Sequence, residues 1–453
     1  YEVLSMVKLL NVTSTSQSGV AKSYNCSFRD VADLDDVSYR FAWSPESLAI
    51  YLVEEHESPP VLDIGIVPIV RFPNDILHPR AIVFQTTHEC NLRCHYCFID
   101  GYYSDRDCWL TFDVAKRALD QFLPPKGDIN IGFFGGEPLL NWKVIVDIVH
   151  YVKSLPNIRP SFSITTNGTI YKPEIIQFLA EHKFSIITSL DGPKNLHDKY
   201  RVDRNGHGSF DKVMEWLNAI KNHEVLVNKN TLRSTYTADV ESLVEPLEFL
   251  NQLCDDGYAS WVSVEPCELS ESQCVYQESL RLRDEHLPKL RRLYLEAVKW
   301  WIDRANSGKI PRFHQINRFL ERVFYRQYAL TECGAGVGYI GINGRGEIFA
   351  CHREAGTKIG DLENGVDEFL RAPWIDNRVY ARQGCRQCSI RYVCGGGCRQ
   401  TSVVETGNIH MPAPIYCKIK QIWFDCVLLI LMKCNPERLM QIIRRPQHRW
   451  QQK

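Results

Sequence analysis

The chain has 453 residues, 44% of them hydrophobic and 24% charged, with a formal net charge of −1. That length exceeds what one hydrophobic core usually serves, so more than one domain is expected, and the composition excludes a disordered, collagen-like or coiled-coil chain. The near-zero charge offers no basic field for nucleic acid, and the longest apolar run, Cys426 to Met432, is far short of the ~20 residues that cross a bilayer.

Residues 1–80 carry polar Ser/Thr-rich stretches, an acidic turn (DVADLDD) and a segment from Pro45 to Glu55 that reads as a helix, and are expected to form a small domain of their own. No secretory signal pattern follows Tyr1, so the cytoplasm is the expected location. From 81 to 306, short β-branched runs alternate with helical periods, the pattern of βα units on a parallel sheet. Strands are predicted over 81–87, 129–134, 161–166, 184–190, 231–237 and 261–266, with helices over 111–122, 141–154, 173–182, 209–222, 239–254 and 274–306. These units are too few for a closed barrel, which leaves an α/β fold built as a partial (β/α)6 TIM-like barrel or as an open doubly wound sheet.

What sits just past four of these strands is more telling: CNLRCHYC, GGEPL, TTNGT and SLDGP, in that order. Loops at the carboxyl ends of parallel strands build active sites, so these motifs are expected to converge on one composite site, although NG and DGP taken singly are ordinary turns. Past Lys309 the alternation ends and a Gly- and Cys-rich region, 331–417, takes over. Apolar residues look scarce there, so bound metal is expected to hold it together. From Lys418 the segment KIKQIWFDCVLLILMKC reads as a docked helix, and a solvated basic stretch with Arg444, Arg445 and Arg449 follows.

Seventeen cysteines in a reducing compartment point to metal rather than disulfides. Cys90, Cys94 and Cys97 form one group; Cys333, Cys351, Cys385, Cys388, Cys394, Cys398 and Cys417 form another. Cys26, Cys108, Cys254, Cys267, Cys274, Cys426 and Cys434 read as small buried hydrophobes. CxxxCxxC offers thiolates for a cubane 4Fe–4S cluster with one iron left open, while a structural zinc would need a further ligand such as His88 or His95.

With its neighbouring motifs, CxxxCxxC resembles the radical S-adenosylmethionine (SAM) superfamily, including an aromatic, Tyr96, before the last cysteine. The resemblance implies a 4Fe–4S cluster on Cys90, Cys94 and Cys97 whose open iron chelates SAM, and chemistry through a 5′-deoxyadenosyl radical. It assigns Gly135, Gly136, Glu137 and Pro138 to the methionyl amino group, Thr166 and Asn167 to the ribose or carboxylate, and Ser189 with Asp191 to the rest of the pocket. Arg201 and Arg233 are further candidates for the SAM carboxylate.

The second cysteine group resembles the SPASM domain: Cys333, twelve residues, Gly346, four residues, Cys351, then CxxCxxxxxCxxxC from Cys385 to Cys398, then Cys417. It implies two auxiliary iron–sulfur clusters, a distal one on Cys385, Cys388, Cys394 and Cys417 and a proximal one on Cys333, Cys351 and Cys398. Fully ligated relatives carry a further cysteine soon after the first. None stands between Cys333 and Cys351, so the proximal cluster is expected to keep an open iron or to be smaller.

The implied organisation is a small N-terminal domain over 1–80 that could bind a peptide leader, a radical SAM partial barrel over 81–306, a SPASM domain over 307–417, and a helix with a basic tail over 418–453. The implied function is an oxidoreductase that modifies a ribosomally made precursor peptide, with side-chain crosslinking through a thioether or C–C bond placed first. Its electron donor would be a flavodoxin or ferredoxin, with no nucleic-acid or membrane partner. Sulfatase-type formylglycine formation, backbone splicing and epimerisation are the alternative chemistries. A non-catalytic electron carrier would need the Cys-rich region but not GGEPL, TTNGT and SLDGP.

Overall fold

The computed structural model describes residues 27–35, 37–44, 49–53, 79–99, 106–269 and 278–443. Strands β1 (Ser27–Ala32), β2 (Ser38–Ser44) and β3 (Ala49–Val53) form an antiparallel sheet in that order. The helix expected over Pro45–Glu55 is thereby corrected: AIYLV pairs with β2, and this β-branched and aromatic run finds its cross-strand partners there. Residues 45–48 and 54–55 lie outside the described residues, as do 1–26, 54–78, Cys26, Cys274 and the basic tail from Arg444.

Among the described residues the main sheet has ten strands. Strands β4 (Ala81–Thr87), β5 (Gly127–Gly135), β6 (Ile158–Thr166), β7 (Ser185–Ser189), β8 (Asn230–Tyr236) and β9 (Trp261–Pro266) are parallel neighbours in chain order, a partial TIM-like barrel. Alternation sets their faces. In β8, Asn230, Leu232, Ser234 and Tyr236 are buried, while Thr231, Arg233 and Thr235 turn to the opposite, half-buried face.

Helices cover the sheet by the complementary rule. Phe112–Phe122 starts at Thr111, whose side chain caps Val114 N–H, and buries Ala115, Ala118, Leu119 and Phe122. The last barrel helix is shorter than expected: residues 270–277 lie outside the described residues, short 3₁₀ turns follow, and Leu287–Asn306 begins where Pro288 can occupy the first turn.

The Cys-rich region does not stand apart. Strand β10 (Tyr339–Ile342) pairs in parallel with β4, and β11 (Glu347–Phe349), β12 (Lys358–Asp361) and β13 (Gly365–Val366) continue the sheet antiparallel. The expectation that metal alone must order this region is overturned. Ile340, Ile342, Ile348, Ile359, Trp374, Val379 and Val393 are buried in the same core as Ile82 and Phe84 of the barrel. Composition missed them because they come in short runs separated by glycines, cysteines and charged residues.

Three fully buried arginines complete this region by bonding to loop carbonyls and side chains. Arg371 Nε donates to Gly336 O at 3.0 Å, and Arg399 to Ala335 O, Trp374 O and Cys333 O at 3.0, 2.8 and 2.7 Å. Arg382 donates to Gly396 O, to Ser402 Oγ at 2.7 Å and to Met411 O at 3.0 Å. Their guanidiniums satisfy backbone that no helix or sheet would.

The expected docked helix is present but starts earlier, at Pro414, so that Pro414–Lys433 carries Cys417 as well. It buries Ile419, Phe424, Val427, Leu428 and Ile430, and packs on Leu287–Asn306. The N-terminal sheet meets it through Arg29, which pairs with Asp425. No helix among the described residues is long and apolar enough to cross a membrane.

Candidate active site

The loop that carries Cys90, Cys94 and Cys97 leaves the carboxyl end of β4 and lies on the start of GGEPL. Gly136 N–H donates to Thr87 O and Glu137 N–H to Glu89 O, each at 2.9 Å. A β-carbon at Gly135 would collide with the Thr87 carbonyl and one at Gly136 with the Glu89 carbonyl, and Gly135 has φ +141°. The glycines therefore serve a close approach of two backbones, thiol loop on GGEPL.

Glu137 is fully buried and ties GGEPL to TTNGT. Its Oε1 accepts from Thr166 Oγ1 at 2.8 Å and Leu139 N–H at 3.1 Å, and its Oε2 from Asn167 N–H at 2.7 Å. Burial nevertheless pushes its pKa up to about 7. Asn167 Nδ2 in turn donates to Asn91 Oδ1 at 2.9 Å and reaches Cys90 Sγ at 3.7 Å. Burial first, and then the Glu137 carboxylate, push the Cys90 thiol up to about 12. Pro138 opens the 3₁₀ turn Pro138–Asn141 beneath this cluster.

A second network surrounds Cys94 and Tyr96. The buried Tyr96 hydroxyl donates to Asp191 Oδ2, which also accepts Arg201 Nε at 3.0 Å, and Arg201 stacks over the Tyr96 ring at 5.4 Å. Asp191 Oδ1 takes Thr235 N–H at 3.1 Å, and its carbonyl takes Ser234 Oγ at 2.9 Å. Burial pushes Cys94 and Cys97 up, and the Arg201 charge opposes that rise at both. Loops after β4, β5, β6 and β7 thus meet on one face.

Ser189 lies in register with Arg233 on β8, whose guanidinium lies 3.9 Å from Glu265. The histidines weighed as zinc ligands are otherwise engaged. His88 Nε2 faces Glu354 Oε1 at 3.2 Å, and His95 meets the Tyr200 ring edge-on at 6.4 Å.

The cysteines of the second group fall into two sets. Cys385, Cys388, Cys394 and Cys417 line a cavity of about 180 Å³, together with Cys398, Glu265, Glu332 and Lys420. Burial pushes Cys385 up to about 11 and Cys394 to about 12; the neighbouring thiols add to both, while Arg382 and Lys420 oppose the rise. Cys333, Cys351 and Cys398 gather around the half-buried Tyr339, whose hydroxyl donates to Cys351 Sγ at 3.4 Å.

These surroundings fit iron–sulfur clusters. Thiols ring a space larger than a single ion, and the buried Arg382 and half-buried Lys420 stand beside them to balance an anionic group. No group of three or more His, Cys, Asp or Glu among the described residues is drawn together around a single-ion site.

Sequence reasoning did not single out Arg353, Glu268, Tyr339, Arg382, Lys420 or Gln421. Arg353 stacks on Phe98, next to Cys97, at 4.3 Å and pairs with Glu268, which accepts Thr401 Oγ1 at 2.8 Å. That contact joins the two cysteine groups. The only local hint was the position of Arg353 and Arg382 a few residues from Cys351 and Cys385.

Residues 84–238 match the Radical SAM superfamily. The chain is 24% identical over 353 residues to the radical SAM cyclopropyl synthase TigE of Paramaledivibacter caminithermalis, spanning 73% of this chain and 70% of that one. It is 25% identical over 342 residues to the cysteine-type anaerobic sulfatase-maturating enzyme of Clostridium perfringens, spanning 69% and 86%. Its fold matches that of native anSMEcpe with bound AdoMet at a TM-score of 0.63 and 20% identity, over 78% of this chain and 98% of that one. Residues 84–238 are a radical SAM domain, and the chain is an enzyme that is similar, over most of its length, to radical SAM maturases.

Proposed function

We propose that the enzyme modifies a ribosomally made precursor peptide by crosslinking its side chains, through a thioether or a C–C bond. The observation that carries this reading is the cavity beside the barrel: thiols of the second group line it, and it reaches Glu265 and Pro266 at the end of β9. A peptide entering the mouth of the barrel there would lie between the two cysteine groups.

Cys90, Cys94 and Cys97 would hold a 4Fe–4S cluster; Cys385, Cys388, Cys394 and Cys417 a distal auxiliary cluster; and Cys333, Cys351 and Cys398 a proximal one with room for a further ligand. When bound with SAM, the first cluster supplies the electron that releases a 5′-deoxyadenosyl radical. The chain's own residues position and exclude. Glu137 and Asn167 fix the thiol loop against β5 and β6, and its contacts with Tyr96 and Arg201 hold Asp191 beneath the site. Glu137, Thr166, Asn167, Ser189 and Asp191 would contact SAM, with Arg201 and Arg233 as cations for its carboxylate.

The relatives named above include a sulfatase-maturating enzyme, which favours formylglycine formation as the second reading. The test is to incubate the anaerobically reconstituted enzyme with SAM, a flavodoxin or chemical reductant, and peptides encoded beside its gene. Crosslinking gives 5′-deoxyadenosine and a peptide lighter by a pair of hydrogens per bond, with a cysteine that no longer alkylates if the bond is a thioether. An aldehyde on a sulfatase-derived peptide, with the precursor peptides untouched, would replace this reading with the second.

A further inference from the structure

The distal thiol set is wired to the far end of the chain. Gln421, one turn beyond Cys417 on Pro414–Lys433, donates its Nε2 to Cys388 Sγ at 3.3 Å. Its Oε1 accepts Arg29 Nη1 at 2.8 Å, and its main-chain carbonyl accepts Arg29 Nη2 at 3.0 Å. Arg29 belongs to β1, and its Nε pairs with Asp425, whose other oxygen takes Arg291 Nη1 at 2.9 Å. A carboxamide has one donating and one accepting end. Turned over, it would face the guanidinium with N–H groups and the sulfur with an oxygen, so Arg29 dictates which end meets Cys388.

We propose that Gln421 tunes the electronic character of the Cys388 sulfur, and that Arg29, brought by the N-terminal sheet, is the positioning residue that keeps the amide in its donating orientation. An N–H donor on a cluster thiolate draws charge off the sulfur and stabilises the reduced state, which raises the reduction potential. The seating of β1 on the helix is thereby transmitted to one auxiliary cluster across 392 residues of sequence. The inference rests on the reading of Cys385, Cys388, Cys394 and Cys417 as cluster ligands.

The full chain carrying Cys90→Ala, Cys94→Ala and Cys97→Ala, reconstituted anaerobically, isolates the auxiliary signals. Iron and sulfide are counted first, and midpoints are then read by paramagnetic resonance during a redox titration. Gln421→Leu should keep the parent's iron and move one midpoint, the one whose signal Cys388→Ala abolishes, to lower potential. Arg29→Met should move the same midpoint in the same direction by less, and should add nothing on top of Gln421→Leu.

Full iron with an unmoved midpoint in Gln421→Leu overturns the inference and leaves the ligand reading intact. Iron loss in Gln421→Leu as large as in Cys388→Ala overturns it too, because Gln421 would then be structural support. If Cys388→Ala removes no iron, the ligand reading itself fails and the inference falls with it. An unmoved midpoint in Arg29→Met alone overturns the role of Arg29.

Discussion

The barrel and the Cys-rich region hold their thiols by different physics. In the barrel, Cys90, Cys94 and Cys97 hang on one loop over parallel strands whose backbone is already paired, and Glu137 and Asp191 knit that loop to its neighbours. In the Cys-rich region the thiols sit on irregular backbone whose carbonyls are satisfied by Arg371, Arg382 and Arg399, three buried cations. The first arrangement presents thiols from a finished fold. In the second, thiols, cations and fold form one unit, so damage should spread further.

The largest expected effect tests the barrel side. Cys90→Ala, Cys94→Ala and Cys97→Ala together should abolish 5′-deoxyadenosine formation, while the protein stays folded by circular dichroism and loses about four irons per chain, retaining the rest. Loss of all iron, or unfolding, would erase the contrast between the regions.

Next comes Cys388→Ala on the other side. Peptide modification should stop and iron should fall by at least about four per chain, while SAM cleavage without peptide continues at a reduced rate. Crosslinking at near the parent rate would show the auxiliary sites to be remote from the reaction, and the crosslinking reading that rests on their cavity would go with them.

Arg382→Met sharpens the comparison without touching a thiol. It leaves the Gly396 and Met411 carbonyls and the Ser402 hydroxyl without their buried donor, and a buried polar group left unsatisfied costs about 1–3 kcal/mol. Hydrogen exchange should rise over 379–411 while β4 to β9 keep their protection. Uniform loosening of both regions would contradict it.

Glu137 gives the barrel a pH signature. Its folded pKa, raised by burial from the ordinary 4.5 to about 7, means that the stability it contributes is complete below pH 4.5 and is lost as pH rises through 7. Measured by urea unfolding without SAM, the parent's stability relative to Glu137→Gln should fall by up to ~3 kcal/mol across that window. A flat difference would show that the carboxylate is not desolvated as its surroundings indicate.

The smallest effect is on backbone fit. Gly136→Ala forces a β-carbon onto the Glu89 carbonyl, an overpacking that costs about 1–3 kcal/mol. Iron at the barrel thiols should become labile to a chelator while auxiliary iron is retained. Equal lability at both would place the glycines' role elsewhere.

Much of this was legible before any coordinates. Strands β4 to β9 follow from short β-branched runs between helical periods, and the thiol sets from their spacing, because both are local patterns. Where local pattern was weak, tertiary context won. AIYLV near Ala49 reads as part of a helix until β2 is seen to pair with it. Residues 331–417 look too poor in apolar groups until β10 is seen to add itself to β4 and share the barrel core.

The sequence by itself determined where the cysteine groups and strand-end motifs stand and which face of the sheet presents them, since cysteine spacing and strand periodicity depend on near neighbours. Tertiary structure alone decided what surrounds them. Tyr96 meets Asp191 across 95 residues, Gln421 meets Cys388 across 33, and Arg353 meets Glu268 across 85. Such contacts involve side chains with no periodicity of their own. Their partners are chosen by where packing places a buried charge or an unpaired donor, and no window along the chain contains that information.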